Sequence, residues 1–178
     1  MSTVTDLLRS TDVVGAWTLD PNRSSFVFKN KTMWGLSNVK GSFSSFSGDG
    51  QLAEGGEVSG RIDIKAASLA TGIRKRDNHL RSADFFDAEN YPDMTVTVAG
   101  VDPADGDEVN VRAELTIRGN TVALPLRAQV TPLDDGAVRL STTTTVDREQ
   151  LEVSGNIAGM VGKTTTLIAD AVFRRAGR

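Results

Sequence analysis

The residues most able to do chemistry lie in residues 73–94, whose pattern is neither that of a strand nor that of a turn. This segment contains the single histidine of the protein, His79, with Asp77 and Asp84 near it and Arg76 before it. A histidine held by a carboxylate is the arrangement that general base catalysis uses. Asp77 is only two residues from His79, so on a helix the two side chains point to different sides and form no orienting pair.

Other catalytic and metal-binding patterns are missing from the sequence. There is no G-x-S-x-G elbow, and a chain with one histidine and no cysteine lacks thiolate ligands and a cysteine nucleophile. The acidic run at residues 102–107 lacks the calcium-loop pattern and is typical of a solvated turn. The glycine-rich run at residues 155–164 has Ile157 where a phosphate loop needs its first glycine. The sequence therefore favours a protein that is neither an enzyme nor a metal-binding protein.

His79 and Arg76 each have a structural and a ligand-binding interpretation. His79 either caps or packs a short helix against the rest of the fold, or contacts the polar end of a ligand. Arg76 either forms an ion pair with Asp77, Asp84 or a strand carboxylate, or lies near an anionic or polar head group. The residues alone leave both alternatives open.

Composition indicates one soluble domain. The chain has 178 residues, a length that suits a single core, and its net charge of −3 comes from mixed signs. Since there is no basic patch, we expect no nucleic-acid partner. No segment approaches the roughly 20 apolar residues of a transmembrane helix. The start lacks a secretory signal pattern, so a cytoplasmic location is expected unless an export signal has been removed. Whether the protein forms a homodimer is left open.

The segments on either side of residues 73–94 have the alternation of β-strands. Phe26 and Phe28 share one face of a predicted strand, and Ile62 and Ile64 share one face of another. Hairpin turns are predicted at residues 48–50 and at residues 119–120. Small residues in the threonine run at residues 141–145 mildly favour an internal cavity, because they would leave space if they face inward.

A short helix is predicted around residues 76–86. Ile73, Leu80 and Ala83 give it a narrow apolar stripe, and Asp77 and Arg81 have the spacing of a helical ion pair. Pro92 ends the helix because the residue before a proline is extended. We expect the helix to pack on the strands through Ile73, Leu80 and one of the two phenylalanines at residues 85–86.

Residues 76–92 resemble the signature of the YceI-like family. Residues 76–85 read R-D-N-H-L-R-S-A-D-F and are followed by Y-P at residues 91–92, as in the family pattern R-D-x-H-L-R-S-x-D-F then Y-P. The opening V-x-G-x-F-x-x-F-x-G at residues 39–48 and the hairpin E-L-T-I-R-G-N-T at residues 114–121 are similar to the family as well. The sequence departs from the family at Arg23 and Thr32, where many members carry histidines, and at Gln150-Leu151, which replaces F-G.

Strand alternation alone leaves a barrel and a sandwich open. The resemblance implies an all-β fold, an eight-stranded antiparallel lipocalin-like barrel with a short helical excursion between strands. The expected domain organisation is an N-terminal arm over residues 1–15, either loose or forming one helical turn, a barrel over residues 16–174 and a C-terminal tail over residues 175–178.

The resemblance implies binding, storage or transport of a long apolar molecule in the barrel: a polyisoprenoid, an isoprenoid quinone or a related lipid. No cofactor is expected other than such a bound molecule, and its head group would lie at the mouth near Arg76, His79 or Arg81. The alternatives are a lipid-acting enzyme at the mouth and a stress or structural protein with a filled barrel. Ligand contacts are predicted from inward-facing strand residues and from the helical segment: Phe26, Phe28, Trp34, Phe43, Ile62, Ile64, Arg76, His79, Leu80, Phe85, Phe86, Met94, Val96, Leu115 and Ile117.

Overall fold

The computed structural model describes residues 3–32, 37–153 and 162–176. The described residues form two α-helices, eleven β-strands and short 3-10 turns. The helices are α1 (Thr3–Arg9) and α2 (Arg74–Arg81). The strands are β1 (Gly15–Leu19), β2 (Ser25–Thr32), β3 (Ser37–Phe43), β4 (Phe46–Leu52), β5 (Val58–Lys65), β6 (Leu69–Ala70), β7 (Asp93–Pro103), β8 (Glu108–Ile117), β9 (Asn120–Pro132), β10 (Val138–Asp147) and β11 (Thr164–Arg175).

The strands occupy eight positions around one closed antiparallel barrel. Three positions each contain two strands that continue one another: β1 with β2, β3 with β4, and β5 with β6. β7 to β11 fill the other five, and β11 closes the barrel by pairing with both β1 and β2. Every pairing is antiparallel, so the predicted eight-stranded antiparallel barrel is confirmed.

The strands bury every second residue, and these residues form the interior of the barrel. Successive side chains of a strand point to opposite faces, so every second residue faces the interior. β8 shows this most regularly, with a buried residue at each second position and more exposed residues between them. Its buried residues are Val109, Val111, Ala113, Leu115 and Ile117.

The turn between β8 and β9 lies one residue earlier than predicted. It consists of Arg118 and Gly119, whose φ angles are 53° and 74°, and Ile117 pairs with Asn120 across it. Positive φ at both central residues is the geometry of a type I′ turn. The prediction of a Gly119-Asn120 turn was wrong. A glycine-first pair suits a two-residue hairpin turn, so the sequence did not separate this position from the one a residue earlier.

The turn predicted at residues 48–50 is also wrong. These residues lie in β4, where Gly50 pairs with Gly60 of β5. The connection between β4 and β5 instead uses Gly55 and Gly56, which have positive φ. The glycines at residues 48 and 50 predict a turn, but they lie in a strand of the barrel wall.

Of the loose arm and the helical turn that the sequence leaves open, residues 3–9 form a helix, α1, that belongs to the core. Val4 of α1 is 1% exposed, and Leu7 and Leu8 pack against the barrel core. β11 extends to Arg175, the residue at which a tail was predicted to begin. The Arg175 guanidinium lies 5.6 Å from the ring centre of Trp17 and donates a hydrogen bond to the Val14 carbonyl. In the described part of the chain, no helix is both long and apolar enough to span a bilayer.

The helical excursion between β6 and β7 is shorter than predicted. α2 ends at Arg81, and turns carry the chain to Pro92. Ile73 is 53% exposed, so the prediction that it packs on the barrel was wrong. Leu80 is partly buried and Phe85 is buried, and both contact the core. The helix therefore faces the barrel with Leu80 but not with Ile73, about two turns before it.

Candidate ligand-binding cavity

The barrel encloses a cavity of about 320 Å³. Aliphatic and aromatic side chains from most of the strands line it, and Thr142 and Thr144 of the threonine run are among the lining residues. Gly50 also lines the cavity; a Cβ added there would come no closer than 3.7 Å to its neighbours. Small inward-facing residues on β4 and β10 thus leave space that larger side chains would fill.

Ten of the predicted ligand-contacting residues lie on the cavity surface. They come from β2, β3, β5, β7 and β8 and from the turns after α2, so alternation chose the inward face of these strands. These residues are Phe26, Phe28, Phe43, Ile62, Ile64, Phe86, Met94, Val96, Leu115 and Ile117. Trp34 lies outside the described residues.

Four predicted residues are placed next to the cavity rather than on its surface. Leu80 and Phe85 pack against the core from the excursion, while Arg76 and His79 make polar contacts outside the cavity. Phe85 shows 7% of its surface, so it stabilises the attachment of the excursion. The contacts of Arg76 and His79 follow from the local hydrogen bonds of α2.

The start of α2 is organised by Thr71. The carboxylate of Asp77, which is 8% exposed, accepts hydrogen bonds from the Thr71 backbone N–H at 2.9 Å and from its hydroxyl. Arg76 donates to the Thr71 hydroxyl and carbonyl oxygens at 2.8 and 2.9 Å. Asp77 and Arg76 therefore fix the chain that enters the helix, and Arg76 donates to Thr71 rather than to the carboxylates predicted for it.

His79 contacts the turns that follow α2, within the excursion itself. Its Nε2 lies 2.9 Å from an Asp84 carboxylate oxygen, and its ring meets the Phe85 ring edge-on at 5.1 Å. Arg81 donates hydrogen bonds to the carbonyls of Ala67 and Leu69 rather than to Asp77. The predicted pair between Asp77 and Arg81 is replaced by these contacts, because Asp77 is bonded to Thr71 and Arg81 to carbonyls of residues 67 and 69.

Three aromatic rings close the cavity near the excursion. Phe28, Phe43 and Phe86 lie with ring centres 5.5 to 6.1 Å apart, at tilted or edge-on angles. Gly41 makes this packing fit, since a Cβ there would lie 2.4 Å from the Phe28 ring. The Phe28 ring therefore leaves no room for a side chain at the glycine of the V-x-G-x-F motif, which the sequence did not reveal.

Arg118, in the β8–β9 turn, attaches the excursion to the barrel. Its Nη1 donates to the carbonyls of Ala83, Phe85 and Glu152 at 2.8 to 3.0 Å. Asn120 adds a hydrogen bond to the Leu151 carbonyl. Sequence reasoning missed Arg118 because its partners are backbone carbonyls more than 30 residues away, and no motif marks such partners.

Arg148 is a second residue that the sequence did not single out. It lines the cavity, is 5% exposed and donates 2.7 Å hydrogen bonds to the carbonyls of Gly162 and Val153. Burial lowers the pKa of its guanidinium, and the nearby carboxylates of Glu149 and Asp147 oppose this effect. In the sequence Arg148 is one charged residue in a polar turn, and nothing there signals burial.

The cavity is lined mainly by apolar side chains. Among the described residues, no group of three or more His, Cys, Asp or Glu side chains is placed to hold a metal ion. His79 is paired with Asp84 outside the cavity. An enclosed apolar space is instead what a hydrophobic ligand requires.

Comparison with known proteins identifies relatives of the barrel. Residues 17–173 match the YceI-like domain. Protein YceI of Escherichia coli O157:H7 is 35% identical over 98 residues, which are 54% of this chain and 51% of that protein. The chain therefore spans about half the length of the curated relatives it matches.

Two solved structures share the fold. BcnA of Burkholderia cenocepacia has a TM-score of 0.78 and 21% identity, over 86% of this chain and 98% of that one. A polyisoprenoid binding domain from Saccharophagus degradans, implicated in plant cell wall breakdown, has a TM-score of 0.74 and 18% identity, over 90% of this chain and 99% of that domain. At these identities the similarity establishes the barrel architecture.

Proposed function

The chain belongs to the YceI-like family, and from this premise we propose that it binds, stores or transports an apolar chain molecule inside its barrel. The observation that carries the proposal is the apolar cavity of about 320 Å³. A polyisoprenoid, an isoprenoid quinone or a related lipid has the chemistry that such a lining accepts. The structural neighbour from Saccharophagus degradans that binds polyisoprenoid supports this ligand class.

Burial of hydrocarbon supplies the binding free energy in this proposal. Each buried methylene contributes about 0.8 kcal/mol, so a chain that fills the cavity binds tightly with few polar contacts. If the barrel had only a structural role, its empty space would lower stability without any benefit, since cavities destabilise a core. The cavity thus favours the binding function over the structural alternative.

A cavity-blocking variant tests the proposal. Thr144 lines the cavity from β10, whereas its neighbour Thr145 is exposed on the outer face of the same strand. Thr144→Phe places a ring in the cavity, and Thr145→Phe is the matched control. Binding is measured by native mass spectrometry and titration calorimetry with farnesol, geranylgeraniol and a short-chain quinone.

Wild-type protein is expected to bind one molecule of at least one probe. Thr144→Phe should weaken that binding at least tenfold, and Thr145→Phe should leave it unchanged. If the wild type binds none of the probes, or if Thr144→Phe binds as tightly as the wild type, the proposed function is wrong.

A further inference from the structure

α1 closes the end of the barrel at which β4 passes to β5. Val4, Leu7 and Leu8 line the cavity there, and Val4 is 1% exposed. The Leu8 carbonyl oxygen lies 3.2 Å from the position of a Cβ added to Gly56, in the β4–β5 connection. The helix therefore lies across this end with its apolar side toward the cavity.

The opposite end of the cavity has a different chemistry. Because β5, β7 and β8 run in alternating directions, the β8–β9 turn lies at the end opposite the β4–β5 turn. Arg148 follows β10 at that opposite end, and it is the one charged lining side chain that is buried in the described part of the chain. The α1 end is lined by the aliphatic side chains of Val4, Leu7 and Leu8, so the apolar tail of a ligand would point toward α1.

We propose that α1 is the end wall of the binding site and that Leu7 and Leu8 set the chain length of the ligand. This inference rests on the proposed function. The cavity of about 320 Å³ is at the lower end of the roughly 300–1,000 Å³ of small-molecule sites. With α1 in place it suits a short prenyl or alkyl chain better than a long polyprenyl chain.

An end wall makes affinity depend on chain length in a specific way. Each methylene added to a chain that still fits strengthens binding about fourfold, because burial of hydrocarbon is favourable. Once the chain reaches α1, further methylenes stay outside or push α1 aside, so affinity stops rising. The chain length at which the affinity stops rising reports the position of Leu7 and Leu8.

The test is the affinity of geraniol, farnesol, geranylgeraniol and a longer prenol for the wild type and three variants. Leu7→Ala/Leu8→Ala moves the wall outward and should shift the preferred prenol to a longer chain. Leu8→Phe moves the wall inward and should shift it to a shorter chain. Asp6→Ala changes an exposed residue of the same helix and should keep the wild-type preference.

The preferred prenol should become longer in the double variant and shorter in Leu8→Phe. These opposite directions distinguish an end wall from detachment of α1. A detached α1 would move the preference to longer chains in both the double variant and Leu8→Phe. That result, or an unchanged preference in both variants, would overturn the end wall while leaving the binding function in place. Failure of every prenol to bind the wild type would overturn the proposed function together with the end wall.

Discussion

The two ends of the barrel are closed by different kinds of contact. At one end α1 contacts the cavity through Val4, Leu7 and Leu8, which are aliphatic side chains. At the other end Arg118 and Arg148 donate hydrogen bonds to backbone carbonyls of the excursion and of the segment after β10. Apolar contacts have no fixed direction, whereas hydrogen bonds set position and angle. Directional hydrogen bonds therefore help to fix the excursion end, whereas α1 is held mainly by apolar contacts.

The largest difference between the ends should appear when one buried side chain is shortened in each. Phe85→Ala removes a ring that is 7% exposed and should lower the free energy of unfolding by about 3 to 5 kcal/mol. Val4→Ala removes two methyl groups from α1 and should cost about 1 to 2 kcal/mol. Urea unfolding measures both values. Equal costs would contradict the idea that α1 is the weaker closure.

Arg118 gives the next largest effect, because its guanidinium bonds three backbone carbonyls at the excursion end. Arg118→Met keeps the size of the aliphatic part of the side chain but leaves these carbonyls without the donor, which should cost about 1 to 3 kcal/mol. Hydrogen exchange followed by mass spectrometry should show faster exchange in residues 82–92 and unchanged exchange in α1.

Arg112→Met is the control for Arg118. Arg112 forms an ion pair with Asp102 in which both side chains are more than half exposed, so its loss should cost less than about 1 kcal/mol. Similar losses for the two variants, or faster exchange in α1 after Arg118→Met, would show that Arg118 does not hold the excursion specifically.

The smallest effect concerns the barrel wall near Asp20 and Asp135, whose contribution to stability should depend on pH. A hydrogen bond from Arg23 lowers the pKa of Asp20, and the Ala137 backbone N–H together with Arg23 lowers the pKa of Asp135. Since both carboxyls have a lower pKa in the folded state, they stabilise the fold above the unfolded pKa of about 3.9. This stabilisation is lost as the pH falls through the lowered values.

Asp20→Asn/Asp135→Asn should therefore lower Tm at pH 7, and the difference from the wild type should shrink as the pH falls below about 4. Asp134→Asn removes a neighbouring exposed charge and should cause a smaller change at pH 7. Differential scanning calorimetry across this pH range measures the effect. A Tm difference that stays constant down to the acid limit would contradict the role of these two carboxylates.

The barrel wall could be predicted from the sequence because its signal is local. Phe26, Ile62 and Leu115 lie in stretches that alternate with period two, and this period selects the inward face once the barrel is known. The family resemblance supplied the choice of a barrel over a sandwich. Whether the barrel is filled could not be predicted, since that depends on summed volumes in three dimensions.

The ends of the barrel were less predictable because their contacts are distant in sequence. Ile73 shares a helical stripe with Leu80, yet its exposure depends on the angle at which α2 meets the barrel. Arg118 and Arg148 bond to carbonyls whose positions only the complete fold determines. α1 has a short apolar pattern that does not distinguish a loose arm from an end wall.

If the barrel holds one apolar chain molecule, native mass spectrometry of the protein purified from its own host should detect it. One bound molecule per chain is expected, and mass spectrometry after organic extraction should identify it as a prenyl or related lipid. Thr144→Phe purified in the same way should lack this molecule, and Thr145→Phe should retain it. Wild-type protein that carries no lipid, together with an experimental structure in which side chains fill the barrel, would contradict the account.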